Sequence, residues 1–171
     1  MSNYITSNFS NLIFSCSVPS QWHMEHRVTD HCVVFVRQGK LLISDKGRTE
    51  EIPAGSCVFL KKDCSVRLVK ASFAGKNYEG LNIRLPQNIL EDYFQRHLKN
   101  NEFSQDFTGL SNCFMRLNRT LCLQGLLSSI ILFVEEGQDP GQKMTELKVE
   151  ELILDLLQTN IRFFPTLFDF Y

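Results

Sequence analysis

The pattern of hydrophobic and polar positions changes once along the chain, at Pro86. Before it, from roughly residue 11 to 85, short apolar runs alternate with turn signals such as Gly39 and Pro53–Gly55. That pattern is typical of short strands in a β-sandwich or barrel. Because two apolar runs meet across Gly39, residues 37–40 are predicted to form a hairpin turn. Residues 1–85 are therefore predicted to form a β-barrel.

The last strand of this half, residues 78–85, alternates apolar and polar side chains. Successive side chains of a strand point to opposite faces of the sheet. The alternation predicts that Leu81, Ile83 and Leu85 point into the barrel, with Asn82 and Arg84 on the other face.

After Pro86 the apolar residues recur with a helical period. One helix is predicted over residues 86–101, and a second over 117–136, ending at Gly137. A third is predicted from an N-cap at Asp139 to about residue 160. Residues 86–171 are thus predicted to be a helical region packed on the barrel, which gives an α+β fold in one compact unit.

The second and third helices carry more apolar residues than a single core-facing stripe needs. In the third helix, Leu147, Leu154 and Ile161 lie seven residues apart, as in a seam between helices. We therefore expect a homodimer; the alternative is that these residues pack on the barrel and between the two helices. The candidate interface consists of Leu123, Leu126, Leu127, Ile130, Ile131, Val134, Leu147 and Leu154.

Composition and charge narrow the function. The 171 residues are 43% hydrophobic and 22% charged, with a formal net charge of −1. That balance gives no electrostatic basis for nucleic-acid binding by this chain alone. One basic group is predicted to lie on two adjacent strands, where it lines a pocket for an acidic ligand or is a solvated rim. Its members are Lys61, Lys62, Arg67 and Lys70.

Six cysteines are present without a CxxC pair, which predicts reduced thiols in a cytoplasmic protein. No secretory signal is visible, and the apolar region Leu121–Val134 is too short to span a membrane. The motifs of serine hydrolases and phosphate-binding loops are missing from the sequence. We expect no enzyme activity, no catalytic residue and no cofactor.

The frame Gly47, Pro53 and Gly55 is typical of small barrels that hold a metal ion. Counting along that frame places the four ligand positions at His26, Val28, Cys32 and Val58. Only His26 is a suitable ligand there, and a closed site needs at least three. We therefore expect no metal, and interpret His23, His26 and His31 as surface or partly buried histidines at a strand entry.

Residues 31–70, "HCVVFVRQGKLLISDKGRTEEIPAGSCVFLKKDCSVRLVK", resemble the amino-terminal cupin-like domain of AraC-family transcription regulators. Residues 147–160, "LKVEELILDLLQTN", resemble the last helix of that domain. The similarity spans roughly residues 20–160 and is greatest to the subgroup of type III secretion activators.

The resemblance implies a cupin-like barrel of the double-stranded β-helix type followed by a helical hairpin that forms the dimer contact. It also implies that DNA is bound by a carboxy-terminal pair of helix-turn-helix motifs, which this sequence lacks, so we expect the chain to be part of a longer regulator. Family members sense a small molecule in the barrel or bind a partner protein. The alternative is a stand-alone, metal-free cupin that binds a small acidic metabolite or a sugar.

Overall fold

Two antiparallel β-sheets are formed by residues 5–85 together with one short strand, Phe114–Arg116, and helices cover the outer face of one sheet. That short strand lies inside the region predicted to be helical, residues 86–171. The structure is a computed structural model that describes residues 4–100 and 107–170. The strands are β1 (Ile5–Phe9), β2 (Ile13–Val18), β3 (Trp22–Arg27), β4 (His31–Gln38), β5 (Lys40–Asp45), β6 (Arg48–Pro53), β7 (Cys57–Leu60), β8 (Ser65–Ala71), β9 (Tyr78–Leu85) and β10 (Phe114–Arg116). The helices are α1 (Gln87–Tyr93), α2 (Leu121–Glu136), α3 (Gln142–Thr159) and α4 (Phe163–Leu167).

The strand order is β1-β2-β9-β4-β7-β10 in the larger sheet and β3-β8-β5-β6 in the smaller one. Strands β4 and β5 follow each other in sequence but belong to different sheets, so the hairpin predicted at residues 37–40 is wrong. The chain turns a corner there at Gly39, whose φ is +74°. The turn at residues 45–47 does join paired strands, since Asp45 of β5 lies opposite Arg48 of β6.

The central strands of the larger sheet are buried on both faces. On β4, Val33 packs in a core cluster with the helices, whereas Val34 and Val36 pack in the cluster inside the barrel. On β9, Leu81 and Ile83 belong to the cluster with the helices. The prediction that they point into the barrel is therefore wrong, and the polar residues of β9 occupy the barrel side.

The helical half begins after Pro86, and α1 continues into a π-helical turn at Phe94–Leu98. The Thr120 side chain caps α2 by accepting a hydrogen bond from the Leu123 amide, 3.0 Å away. Gly137 ends α2 in a left-handed conformation, as predicted. The predicted N-cap of α3 is wrong, because Asp139 accepts from the Gly141 amide and Gly141 holds the cap position.

The aromatic residues near the carboxyl end pack on the larger sheet. Phe163 contacts Phe59 of β7 edge to face, with ring centroids 5.0 Å apart. The ring centroids of Phe168 and Phe94 lie 5.5 Å apart. Thr166 accepts a hydrogen bond from the Leu110 amide at 2.8 Å. Helix α4 is thereby fixed to the barrel and to the segment before β10.

The Gly39 corner gives a test of how the two sheets are joined. A methyl group at Gly39 would lie 2.5 Å from the Ala71 carbonyl oxygen and 2.8 Å from the Tyr78 Cα, whereas nothing lies within 4 Å at Gly47. Both glycines have positive φ. We expect Gly39→Ala to lower the free energy of unfolding by about 3 kcal/mol, from strain and overlap together. Gly47→Ala should cost about 1 kcal/mol, from strain alone. Equal losses in urea denaturation would contradict this assignment.

Candidate ligand cavity in the barrel

A cavity of about 340 Å³ lies between the two sheets. That volume is at the lower end of the range found for small-molecule sites. Its wall is mostly apolar, with polar side chains contributed by β2, β3, β4, β8, β9 and the turn before β4. The lining residues are Ile5, Phe14, Cys16, Met24, His26, Thr29, Asp30, Cys32, Val34, Leu41, Leu60, Leu68, Lys70, Asn82 and Arg84.

The space exists because the barrel face of β9 carries few bulky apolar groups. Gly80 faces this side, and a methyl group there would lie 2.6 Å from the Tyr78 hydroxyl. Asn82 and Arg84 follow on the same face and line the cavity. On the neighbouring β4, Cys32 lies opposite Arg84. The strand that packs α3 on one face therefore leaves room for a ligand on the other.

Lys70 of β8 supplies a positive charge at one end of the cavity. The side chain is half-buried, with its Nζ atom 3.7 Å from the Cys16 sulfur and 5.5 Å from the ring centroid of Tyr78. Among the described residues, no carboxylate lies within salt-bridge distance of Lys70. The Tyr78 hydroxyl nearby is buried and has no hydrogen-bond partner in the described part of the chain. This end of the cavity can accept an anionic or hydrogen-bonding group.

Arg84 and Asp30 form an ion pair at the opposite end of the cavity. Arg84 also donates a hydrogen bond to the Asn11 carbonyl, 2.8 Å away, which fixes its position. Gly80 lies opposite Cys16, four residues from Arg84 along β9. Four residues of a strand span roughly 13 Å. The two charged ends are thus separated by an apolar middle.

His26 lines the cavity from β3. Burial lowers the pKa of His26, and the charge of Lys70 lowers it further. A neutral imidazole adds no charge to the wall. One of its nitrogens can donate a hydrogen bond and the other can accept one.

The basic group predicted from sequence is not brought together. Strand β7 and strand β8 belong to different sheets, so the prediction that they are adjacent is wrong. Lys61 donates to the Leu110 carbonyl at 2.8 Å, and Lys62 pairs with Asp169 at 2.8 Å. Arg67 is exposed and pairs with Glu25. Only Lys70 of the four reaches the cavity.

The four metal-ligand positions of the barrel frame lie on the interior side. His26 and Cys32 line the cavity, and Val28 and Val58 are buried in the barrel core. Burial raises the pKa of the Cys32 thiol to about 12, and the nearby Asp30 charge adds to the rise. Such a thiol stays protonated and is a poor metal ligand. Within residues 4–100 and 107–170, no group of three or more metal-ligating side chains comes together.

His31 is buried at the start of β4, outside the cavity, where its ring stacks on Phe59 at 5.5 Å. Its Nδ1 accepts a hydrogen bond from the Lys62 amide at 3.1 Å. Burial lowers the pKa of His31 to about 4, and the charge of Lys62 contributes. His31 therefore acts as a neutral packing residue beneath α4, whereas His23 is exposed.

Protonation of His31 should make folding depend on pH. Because its folded pKa of about 4 lies below the ordinary value of 6.5, the unfolded chain binds the proton more tightly. The free energy of unfolding is therefore highest above pH 6.5, where His31 is neutral in both states. It decreases as the pH falls towards 4, because the unfolded chain takes up the proton first. We expect His31→Asn to remove about 3 kcal/mol of the change in unfolding free energy across this window. His23→Asn is the control, and identical pH profiles for both variants would contradict the assignment.

Comparison with known proteins identifies the family. Residues 31–163 match the family described as the ExsA N-terminal regulatory domain. The chain belongs to this family. The resemblance to regulatory domains of AraC-type regulators is thereby confirmed. No match to the chain was found among curated protein sequences.

Solved structures of ToxT from Vibrio cholerae share the fold of this ExsA-type regulatory domain. An apo variant has a TM-score of 0.63 at 12% identity, covering 89% of this chain and 58% of that one. Wild-type ToxT bound to an unsaturated fatty acid has a TM-score of 0.59 at 13% identity, covering 86% and 53%. ToxT bound to (E)-4-(8-methylnaphthalen-1-yl)but-3-enoic acid has a TM-score of 0.55 at 12% identity, covering 86% and 57%.

The likeness to ToxT confirms the predicted fold class, a cupin-like barrel followed by helices. The regulatory domain spans little more than half the length of these ToxT chains. Across residues 4–100 and 107–170, no helix is long and apolar enough to cross a membrane.

The candidate dimer interface of the regulatory domain divides into two groups. Leu123, Leu126, Leu127 and Ile130 are buried in the core between the helices and the sheet, so they cannot contact a second chain in this arrangement. Ile131 and Val134 are partly buried against the same core. Leu147 and Leu154 are 51% and 47% exposed.

Two cysteines of the regulatory domain form a disulfide, Cys64–Cys113. The expectation that all six thiols are free is therefore wrong for this pair. The residues are separated by 49 positions in sequence but their Cα atoms lie 5.6 Å apart, because β7 and β10 pair beside them. The other four cysteines are free.

Of the residues that line the cavity, the sequence predicts only Lys70 as a possible ligand contact, and it marks His26 and Cys32 merely as positions of an incomplete metal site. The available signal was the run of Gly80, Asn82 and Arg84 on alternate positions of β9. In a sheet covered by helices, a polar alternate face that is not exposed must line an internal space.

Proposed function

We propose that this domain is the sensory part of a longer AraC-type transcription regulator. It binds a small effector in the barrel, and the occupied and empty states influence a carboxy-terminal DNA-binding domain. The net charge of −1 supports a regulator in which the carboxy-terminal domain binds DNA and this domain does not. We place the regulator in the cytoplasm, where bacterial DNA is, and assign no catalytic activity to the domain.

The effector we propose is an amphipathic carboxylate with a largely apolar body. The single observation that carries this proposal is Lys70, a half-buried cation at the end of an apolar cavity for which residues 4–100 and 107–170 supply no carboxylate partner. A buried charge is costly unless it is paired. A ligand carboxylate would supply the missing partner, and apolar side chains such as Met24 and Leu68 would contact the rest of the ligand.

The ligands of the ToxT structures give independent support. Both an unsaturated fatty acid and a naphthalenyl butenoic acid join a carboxylic acid to an apolar body. A domain of the same fold with a cationic end in an apolar cavity is suited to ligands of that class. A sugar is less well matched, because most of the wall offers no hydrogen-bonding groups.

Substitution of Lys70 tests this proposal. A series of straight-chain acids from hexanoic to decanoic acid, with the primary alcohols of equal length, would be titrated by calorimetry. We expect the acids to bind better than the alcohols, and Lys70→Met to weaken acid binding by about 10–100-fold, the value of a charged hydrogen bond. Alcohol binding should change little.

The matched control is Arg67→Met, on the same strand but the opposite face, where the side chain is exposed and pairs with Glu25. It should bind the acids like the wild type. Equal affinities for acid and alcohol in the wild type, or equal effects of the two substitutions, would rule out Lys70 as the carboxylate partner.

We further propose that the domain self-associates through exposed leucines of α2 and α3. Leu132 is 61% exposed, and Leu147 and Leu154 are about half exposed. Large apolar side chains exposed on a surface favour association. The interface that we propose therefore lies on the outer faces of α2 and α3, and not on the buried face of α2 that the sequence predicts. A regulatory partner protein is the other candidate for this surface.

Charge insertion on the outer face tests self-association. We expect Leu147→Asp combined with Leu154→Asp to raise the dimer dissociation constant by 100-fold or more, roughly 3 kcal/mol for two desolvated carboxylates. Sedimentation equilibrium would measure it. Leu126→Asp is unsuitable because it places a charge in the monomer core. An exposed control is Glu151→Asp on α3. A wild-type domain that stays monomeric at all accessible concentrations would contradict self-association.

A further inference from the structure

The Cys64–Cys113 disulfide connects the two sheets of the barrel. Cys64 directly precedes β8 of the smaller sheet, and Cys113 directly precedes β10 of the larger one. Both residues are partly exposed, so a small thiol in solution can reach the bond. The connection lies at the end of the barrel where β3 turns into β4.

On the Cys113 side, the bond holds a short edge strand. Strand β10 has three residues, and among the described strands it pairs with β7 at the edge of the sheet. The Cys113 carbonyl accepts a hydrogen bond from the Lys61 amide at 2.8 Å. Phe114 is buried in the barrel core opposite Leu60, which lines the cavity. A three-residue edge strand is a short attachment, so the disulfide adds a covalent link to the pairing with β7 and the burial of Phe114.

On the Cys64 side, the bond reaches the rim of the cavity. The Cys64 carbonyl accepts from the Val28 amide at 2.8 Å, and the Val28 carbonyl accepts from the Asp63 amide at 2.7 Å. The next residues, Thr29 and Asp30, line the cavity.

The segment held by Cys113 also contacts helix α4. The Leu110 amide donates to the Thr166 hydroxyl at 2.8 Å. The Gly109 position lies against the same side chain, because a methyl group there would be 2.9 Å from the Thr166 oxygen. The disulfide therefore lies between the cavity rim and the last helix of the domain.

The remaining cysteines have different surroundings. Burial raises the pKa of the Cys57 thiol to about 12, as it does for Cys32. Cys16 is buried, and Cys122 is exposed on α2. The pair that is both accessible and correctly spaced for a bond is Cys64 and Cys113.

We propose that Cys64 and Cys113 form a reversible thiol–disulfide switch that locks β10 and the segment before it onto the barrel. The proposal is independent of which effector fills the cavity. In a reducing compartment the bond is open, and β10 is held by its hydrogen bonds to β7 and by the burial of Phe114. Oxidising conditions close the bond and fix the connection between the cavity rim and α4.

The oxidant that we assign is a low-molecular-weight disulfide such as glutathione disulfide. One cysteine thiolate attacks it, forms a mixed disulfide and releases one glutathione thiolate, which takes up the proton that the cysteine lost. The second cysteine thiolate then attacks the mixed disulfide at the protein sulfur and releases the second glutathione. Two electrons pass to the oxidant, two glutathione thiols are formed, and reduced glutathione in excess reverses both steps.

The first experiment measures the bond directly. The chain is equilibrated at several ratios of reduced to oxidised glutathione, then alkylated and analysed by peptide mass spectrometry. We expect a linked Cys64–Cys113 peptide that increases with the oxidised fraction and disappears again on reduction. Cys122→Ser should behave like the wild type. Complete alkylation of both cysteines at every ratio, or a bond that survives reducing ratios typical of cytosol, would overturn the switch.

The second experiment measures what the bond holds. Closing a loop of this length should raise the melting temperature by roughly 5–10 °C. Amide hydrogen exchange in residues 110–116 should be faster in the reduced protein. Cys64→Ser and Cys113→Ser should match the reduced wild type under all conditions, and Cys122→Ser should retain the difference. Equal exchange in the oxidised and reduced wild type would contradict a role in fixing β10.

Discussion

The packing of the larger sheet on both faces is the constraint on which the rest of the structure depends. On β4 and β9, alternate residues enter two separate cores, one beneath the helices and one inside the barrel. A slip of one residue in either strand would exchange the two sets. Register, helix docking and the lining of the cavity are therefore determined together.

This arrangement places a ligand and the helical region on opposite faces of the same strands. Asn82 and Arg84 line the cavity, while Leu81 and Ile83, between and beside them, pack with the helices. An occupant that displaces one side of β9 must affect the other, because packed interiors transmit small shifts rather than absorb them. A regulatory role follows naturally from such a sheet, since occupancy and helix position share one element.

The order of elements could be predicted from the sequence because its signals are local. The change of period at Pro86 separates β1–β9 from the helices but misses β10, and Gly137 marks the end of α2. The assignment of strands to sheets could not be predicted, since a turn at Gly39 looks the same whether the chain folds back or crosses to the other sheet. The sequence does not tell which face of β9 points into the barrel, because this strand is buried on both faces and has no exposed polar side.

The site was harder to predict than the fold. Lys61, Lys62, Arg67 and Lys70 are close in sequence, but the strand pairing sends them to separate environments. The Cys64–Cys113 bond depends on a contact between residues 49 positions apart, which no local pattern encodes. Both features arise from pairing between residues that are distant in sequence, so local patterns do not reveal them.

The central claim, that the barrel holds a carboxylate ligand beside Lys70, is tested most directly by a crystal structure of the domain grown with decanoic acid. We expect a carboxylate within hydrogen-bonding distance of the Lys70 Nζ atom and an alkyl chain beside Phe14, Met24 and Leu68. An interior filled by the domain's own side chains, or an acid bound only outside the barrel, would contradict it.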